Sequence, residues 1–143
     1  MIAIITAIIS GIAMSVQGVF NTRLGEKIGV WETNVFVQGS ALILTLIITF
    51  FIGKGSYNQI KEANKLYLLG GALGVVITYT VMKSISCLGP TCGIGIILVA
   101  QLLAAALIEA FGLFGSEKLN FTLKELIGIA IMVVGIIVFK WKH

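Results

Sequence analysis

Residues 91–115 read TCGIGIILVAQLLAAALIEAFGLFG, twenty-five positions with a single charged side chain, Glu109. A helix rises 1.5 Å per residue, so about 20 apolar residues cross a hydrocarbon layer roughly 30 Å thick. Four other runs meet or approach that length. Met1 to Thr22 is uncharged and closes at Arg23, and Thr33 to Ile52 closes at Gly53-Lys54. Leu66 to Met82 closes at Lys83. Leu126 to Phe139 is a shorter uncharged core. It spans a bilayer as Phe121 to Trp141 if Lys124 and Lys140 snorkel and Trp141 anchors the interface.

These runs predict an all-α integral membrane protein with five transmembrane helices, over residues 1–22, 33–52, 66–85, 91–115 and 121–141. The 143 residues form a single transmembrane domain on this reading. Composition agrees: 58% of residues are hydrophobic and 11% charged, whereas a water-facing domain carries roughly 25% charged residues. The connections are short and polar. The longest, Gly53 to Lys65, has room for a turn of interfacial helix. The first run lacks a basic leader and a cleavage site, so it is expected to stay as a helix.

A net charge of +4 is no nucleic-acid signal here, because the basic residues are dispersed and most sit beside the ends of apolar runs, where cationic heads reach phosphates. Cys87 and Cys92 flank Gly89-Pro90 at a spacing that matches no metal motif. They read as free thiols, with a bridge across the turn left open. The only histidine is His143. No nucleophile–base pair or metal cluster occurs, so an enzyme is not expected. No nucleotide motif is present, and no cofactor is expected.

Five spans put the termini on opposite sides. One side carries Lys54, Lys61, Lys65, Lys118 and Lys124; the other carries Arg23, Lys27, Lys83, Lys140 and Lys142. The bias is 5 − 5 = 0. Because Lys/Arg asymmetry sets orientation, zero bias predicts a chain that inserts both ways and pairs with itself as an antiparallel homodimer. The alternative is one weakly biased orientation.

Polar residues inside the runs are the candidate site. Glu109 alone among six acidic residues lies within an apolar run, and at that depth a carboxyl must be protonated, paired or wet. It reads either as a proton- or cation-coupling group or as a neutral hydrogen-bonding group between helices. Gln101, Ala105, Glu109 and Gly112 share one helix stripe. Gln17 and Asn21 mark a stripe on the first helix, Asn34 and Gln38 one on the second. Such amides bind a polar solute or join helices. Gly70 and Gly74, followed by Thr78, and the pair Gly128 and Gly135 suit close packing or dimerisation. Gly93 and Gly95, just after Pro90, suggest a loosened helix start.

With these residues the sequence resembles the small single-repeat members of the drug/metabolite transporter superfamily, in particular the five-helix YdcZ-like (DUF606) family. The resemblance covers essentially the whole chain. It rests on Gln17-x-x-x-Asn21, Gly70-Gly71-x-x-Gly74, Gly89-Pro90, Gln101 with Glu109 and Gly112, and Ser116-Glu117-Lys118-Leu119 followed by Gly128 and Gly135. The resemblance leads one to expect Asp more often at position 109, and a tighter Gly-Glu pair than Gly115-Ser116-Glu117. It implies a transporter in which two five-helix units of opposite orientation supply two equivalent, alternately open states.

The expected function is therefore secondary transport of a small organic solute across a bacterial plasma membrane, with proton coupling as an option. Glu109, Gln101, Gln17, Asn21, Gln38 and Asn34 are the candidate substrate or coupling residues. The expected partners are the lipid bilayer, a second copy and the solute, with no nucleic acid. The rival readings are a non-transporting membrane scaffold and one half of a heteromeric transporter.

Overall fold

A computed structural model describes residues 1–119 and 122–140. Among them every regular element is helical: α1 (Ile2–Ile28), α2 (Val30–Ile52), α3 (Gly70–Leu88), α4 (Pro90–Phe111) and α5 (Leu123–Lys140). Four helical stretches, Ile2–Ile28, Val30–Ile52, Lys65–Leu88 and Pro90–Phe111, are long and apolar enough to cross a membrane. The 18 residues of α5 extend about 27 Å, close to the hydrocarbon thickness. The expected ends of that span, Phe121 and Trp141, lie outside the described residues, as do Lys142 and His143.

The chain forms two compact units, one over Met1–Lys83 and one beginning at Ser84, with the division falling inside α3. In the first, α1 and α2 make a tight hairpin. The connection expected over 23–32 is a single residue, Gly29. Charged residues after Thr22 do not end α1, because nothing there breaks a helix and Arg23 pairs with Glu26 at 3.1 Å on the next turn. Gly29 ends it with φ +100°, its amide still donating to the Gly25 carbonyl. Such a dihedral favours glycine. The space a Cβ would occupy is filled by the Glu32 carboxylate. Thr33 restarts the ladder, its amide and hydroxyl both donating to the Gly29 carbonyl.

The connection after α2 contains two 3₁₀ turns, Tyr57–Lys61 and Lys65–Leu69. Ser56 and Asn64 cap them by accepting from the amides of Asn58 and Leu66. The α-helical part of the third span therefore begins at Gly70, four residues later than expected, and runs to Leu88.

In the second unit, Pro90 opens α4 at its first turn, where a missing amide hydrogen costs nothing. The helix is regular through Gly93 and Gly95. These glycines do not loosen it; they admit neighbours, Ser84 and Ile85 against Gly93 and the Ile136 side chain against Gly95. The helix stops at Phe111, short of the expected residue 115, because Gly112 turns left-handed (φ +61°, ψ +39°) and donates back to Glu109. The Ser116 hydroxyl donates to the Ile108 and Leu113 carbonyls, closing the end of the helix. Thr122 starts α5, its amide and hydroxyl donating to the Glu125 carboxylate in a capping arrangement. Packing of α5 on α4 completes the unit.

Burial runs opposite to that of a water-soluble protein. Among the described residues the buried hydrophobic side chains are Met82, Ile85 and Val99, whereas Asn21, Thr22, Thr33 and Asn34 are all buried. The helix surfaces expose Ile, Leu, Val and Phe along nearly their whole length. Water would penalise that surface by about 25 cal/mol per Å², and lipid does not.

Candidate polar site within the membrane-spanning helices

The first unit holds a layer of uncharged polar groups between its helices. Thr33 is 0% and Asn34 3% exposed. The hairpin at Gly29 brings α1 beside α2, and Asn21 and Thr22 on α1 are buried as well. Thr22 and Thr33 spend their hydroxyls on carbonyls of their own helices, Gly18 and Gly29. These side chains are satisfied locally and seek no partner.

The amides of α2 behave differently. Asn34 Nδ2 donates to the Val75 carbonyl of α3 at 2.9 Å. Gln38 Nε2 donates to Thr78 Oγ1 at 3.3 Å. Gly74 lies beside this contact, and a Cβ there would stand 3.4 Å from Gln38 Nε2. Trp31 stacks on Tyr79 with centroids 4.7 Å apart and planes within 15°, placing an aromatic pair one turn from Asn34 along α2. Met82, 2% exposed, packs where Gly25 and Thr33 meet. Asn34 Oδ1 is buried without a hydrogen-bond partner among the described residues.

Over residues 2–138 the sequence matches the family described as "Putative inner membrane exporter, YdcZ". The chain belongs to the YdcZ-like family. No curated protein and no solved structure matches it. Membership and the apolar helices together make this a multi-pass membrane protein of a transporter-type family.

Of the candidate residues in this YdcZ-like chain, Asn21 and Asn34 are buried, Gln38 is half-buried and Gln17 is exposed. Asn34 and Gln38 are joined to α3 within the first unit. On α4, Gln101, Ala105 and Glu109 lie on the exposed face of the second unit, with Gly112 half-buried. The Glu109 backbone carbonyl accepts from the amides of Gly112 and Leu119, which ties the end of α4 to the following loop.

Gly70 is exposed and Gly74 faces Gln38. Gly128 and Gly135 have no atom within 4 Å of where a Cβ would stand. Gly135 also lines an apolar groove of about 260 Å³ along the α4–α5 seam, with Thr91, Cys92, Met132 and Phe139. Cys87 and Cys92 are free thiols. Among the described residues no cluster of His, Cys, Asp or Glu is suited to a metal ion.

Sequence reading did not foresee that Thr78 would receive Gln38, or that Trp31 would pair with Tyr79. Thr78 carried a faint signal, one turn after Gly74. The aromatic pair carried none, since 48 positions separate its members in the chain.

Proposed function

We propose that this YdcZ-like chain is a secondary-active transporter of a small organic solute in a bacterial plasma membrane, working as an antiparallel homodimer. The observation that carries the reading is the inverted burial of the first unit, where amides and hydroxyls turn inward and apolar side chains outward. A helical protein in lipid holds polar groups inside where they bind each other or a solute.

Glu109 is assigned the coupling role, as the one carboxylate within an apolar run. Gln17, Asn21, Asn34, Gln38 and Gln101 are assigned to solute binding. The even split of basic residues, 5 − 5 = 0, supports insertion in both orientations. Two inverted copies then supply the two equivalent states that alternating access requires.

A second reading has its own support. The bonds from Asn34 to Val75 and from Gln38 to Thr78 are what a non-transporting scaffold would use to hold its helices together, each contributing about 0.6–2 kcal/mol. Proteoliposome flux separates the two. Proton-driven uptake of any solute from a chemically diverse panel, lost in Glu109→Gln with assembly intact, supports transport. A folded protein that moves no panel solute and no protons favours the scaffold.

A further inference from the structure

The two amides of α2 are committed unequally. Val75 presents a backbone carbonyl, which only accepts, so Asn34 must turn its Nδ2 towards it. Its Oδ1 therefore points away from that bond, and it is buried with no partner among the described residues. Gln38 likewise gives its Nε2 to Thr78 and is half-buried one turn further along α2. Asn34 and Gln38 are four positions apart, one turn along one face of α2. Each amide gives an N–H to α3, and the Asn34 oxygen remains unmet.

A buried, unsatisfied acceptor is expensive, and natural proteins seldom keep one without a use. The other buried polar side chains of this unit, Asn21, Thr22 and Thr33, are uncharged. The carboxylates of the unit, Glu26, Glu32 and Glu62, are all exposed, at the α1–α2 turn or in the loop after α2. A full cation placed here would meet no compensating charge, which in a low-dielectric interior is costly. A neutral donor has no such penalty.

We propose that Asn34 Oδ1 and Gln38 Oε1 form a subsite for the N–H or O–H donors of a neutral solute, such as a primary amide, urea or hydroxyl compound. This deepens the transporter reading and rests on it, naming the chemical class of the group that the first unit accepts.

The test uses the full chain in nanodiscs with three probes of similar shape: benzamide, N,N-dimethylbenzamide and benzylammonium. Dimethylation removes both N–H donors and keeps the ring and carbonyl. Binding is read by calorimetry and by the shift in melting temperature. The expected result is that benzamide binds about tenfold or more tightly than its dimethyl analogue, the ratio left by one unmet hydrogen bond. It also binds more tightly than benzylammonium. The preference is lost in Asn34→Leu and reduced in Gln38→Leu, which serves if the first variant does not fold.

Equal binding of benzamide and its dimethyl analogue overturns the subsite, as does no binding of either. So does a benzamide preference that survives in folded Asn34→Leu, or a preference for benzylammonium. Flux is measured separately. Benzamide that binds by these rules but is not moved overturns transport and leaves the subsite standing. Flux indifferent to N-methylation and to Asn34→Leu does the reverse.

Discussion

Asn34 on α2 donates to the Val75 carbonyl on α3 across 41 positions of chain, while the other half of the same amide stays unsatisfied. One side chain thus both joins two helices and keeps an acceptor in reserve. These two effects oppose each other in stability, which makes the residue informative to mutate.

Asn34→Leu loses a bond contributing about 1 kcal/mol and removes an orphan acceptor costing about 1–3 kcal/mol. Near-neutral or slightly raised stability is expected, read by thermal or denaturant unfolding in detergent. Asn34→Asp sets a carboxyl oxygen against the Val75 carbonyl and is expected to lose more than about 2 kcal/mol as a carboxylate. A leucine variant that unfolds as easily as the aspartate variant would show that the bond dominates.

Gly29→Ala is expected to cost about 1–2 kcal/mol, since alanine must hold a positive φ there and its Cβ must displace the Glu32 carboxylate. The loss is measured against Gly11→Ala in the middle of α1, where a Cβ meets nothing within 4 Å. Equal melting temperatures for the two variants contradict the account of the hairpin.

Glu109→Gln keeps the size and hydrogen-bonding capacity of the side chain but cannot release a proton. Proton-driven flux in proteoliposomes is expected to fall to background, while exchange of solute without a gradient and the elution volume stay as in the parent. Proton-coupled flux that persists removes Glu109 from the coupling role.

Orientation follows from charge. A C-terminal tag is expected to label from both sides, in intact cells and in inverted vesicles. Replacing Lys54, Lys61 and Lys65 by Gln changes the count from 5 against 5 to 2 against 5. The face bearing Arg23, Lys27, Lys83 and the C-terminus should then be cytoplasmic in nearly all copies. One labelled population in the parent refutes dual topology.

Much of the architecture was legible because lipid imposes a length and a polarity on each span, and both are local properties of the chain. The spans ending at Ile52 and beginning near Pro90 stand close to where hydropathy placed them. The ends governed by dihedral angle were less legible. Charged Arg23 and Lys27 looked like loop but continue α1, and Gly112 ended α4 four residues before the apolar run did. Hydropathy reports what solvent a residue tolerates, and a helix ends where a backbone angle or a cap changes.

The candidate site was legible in its members and not in its pairings. Asn34 and Gln38 were marked by being polar where lipid disfavours it, a fact each residue carries alone. That their amide hydrogens go to Val75 and Thr78, leaving one oxygen buried and unmet, depends on how α2 lies against α3. The sequence by itself determined that this chain lives in a membrane and which side chains are out of place there. Only the tertiary structure decided which of those side chains satisfy one another, because hydrogen bonds are directional over a few ångströms and the partners are tens of residues apart in the chain.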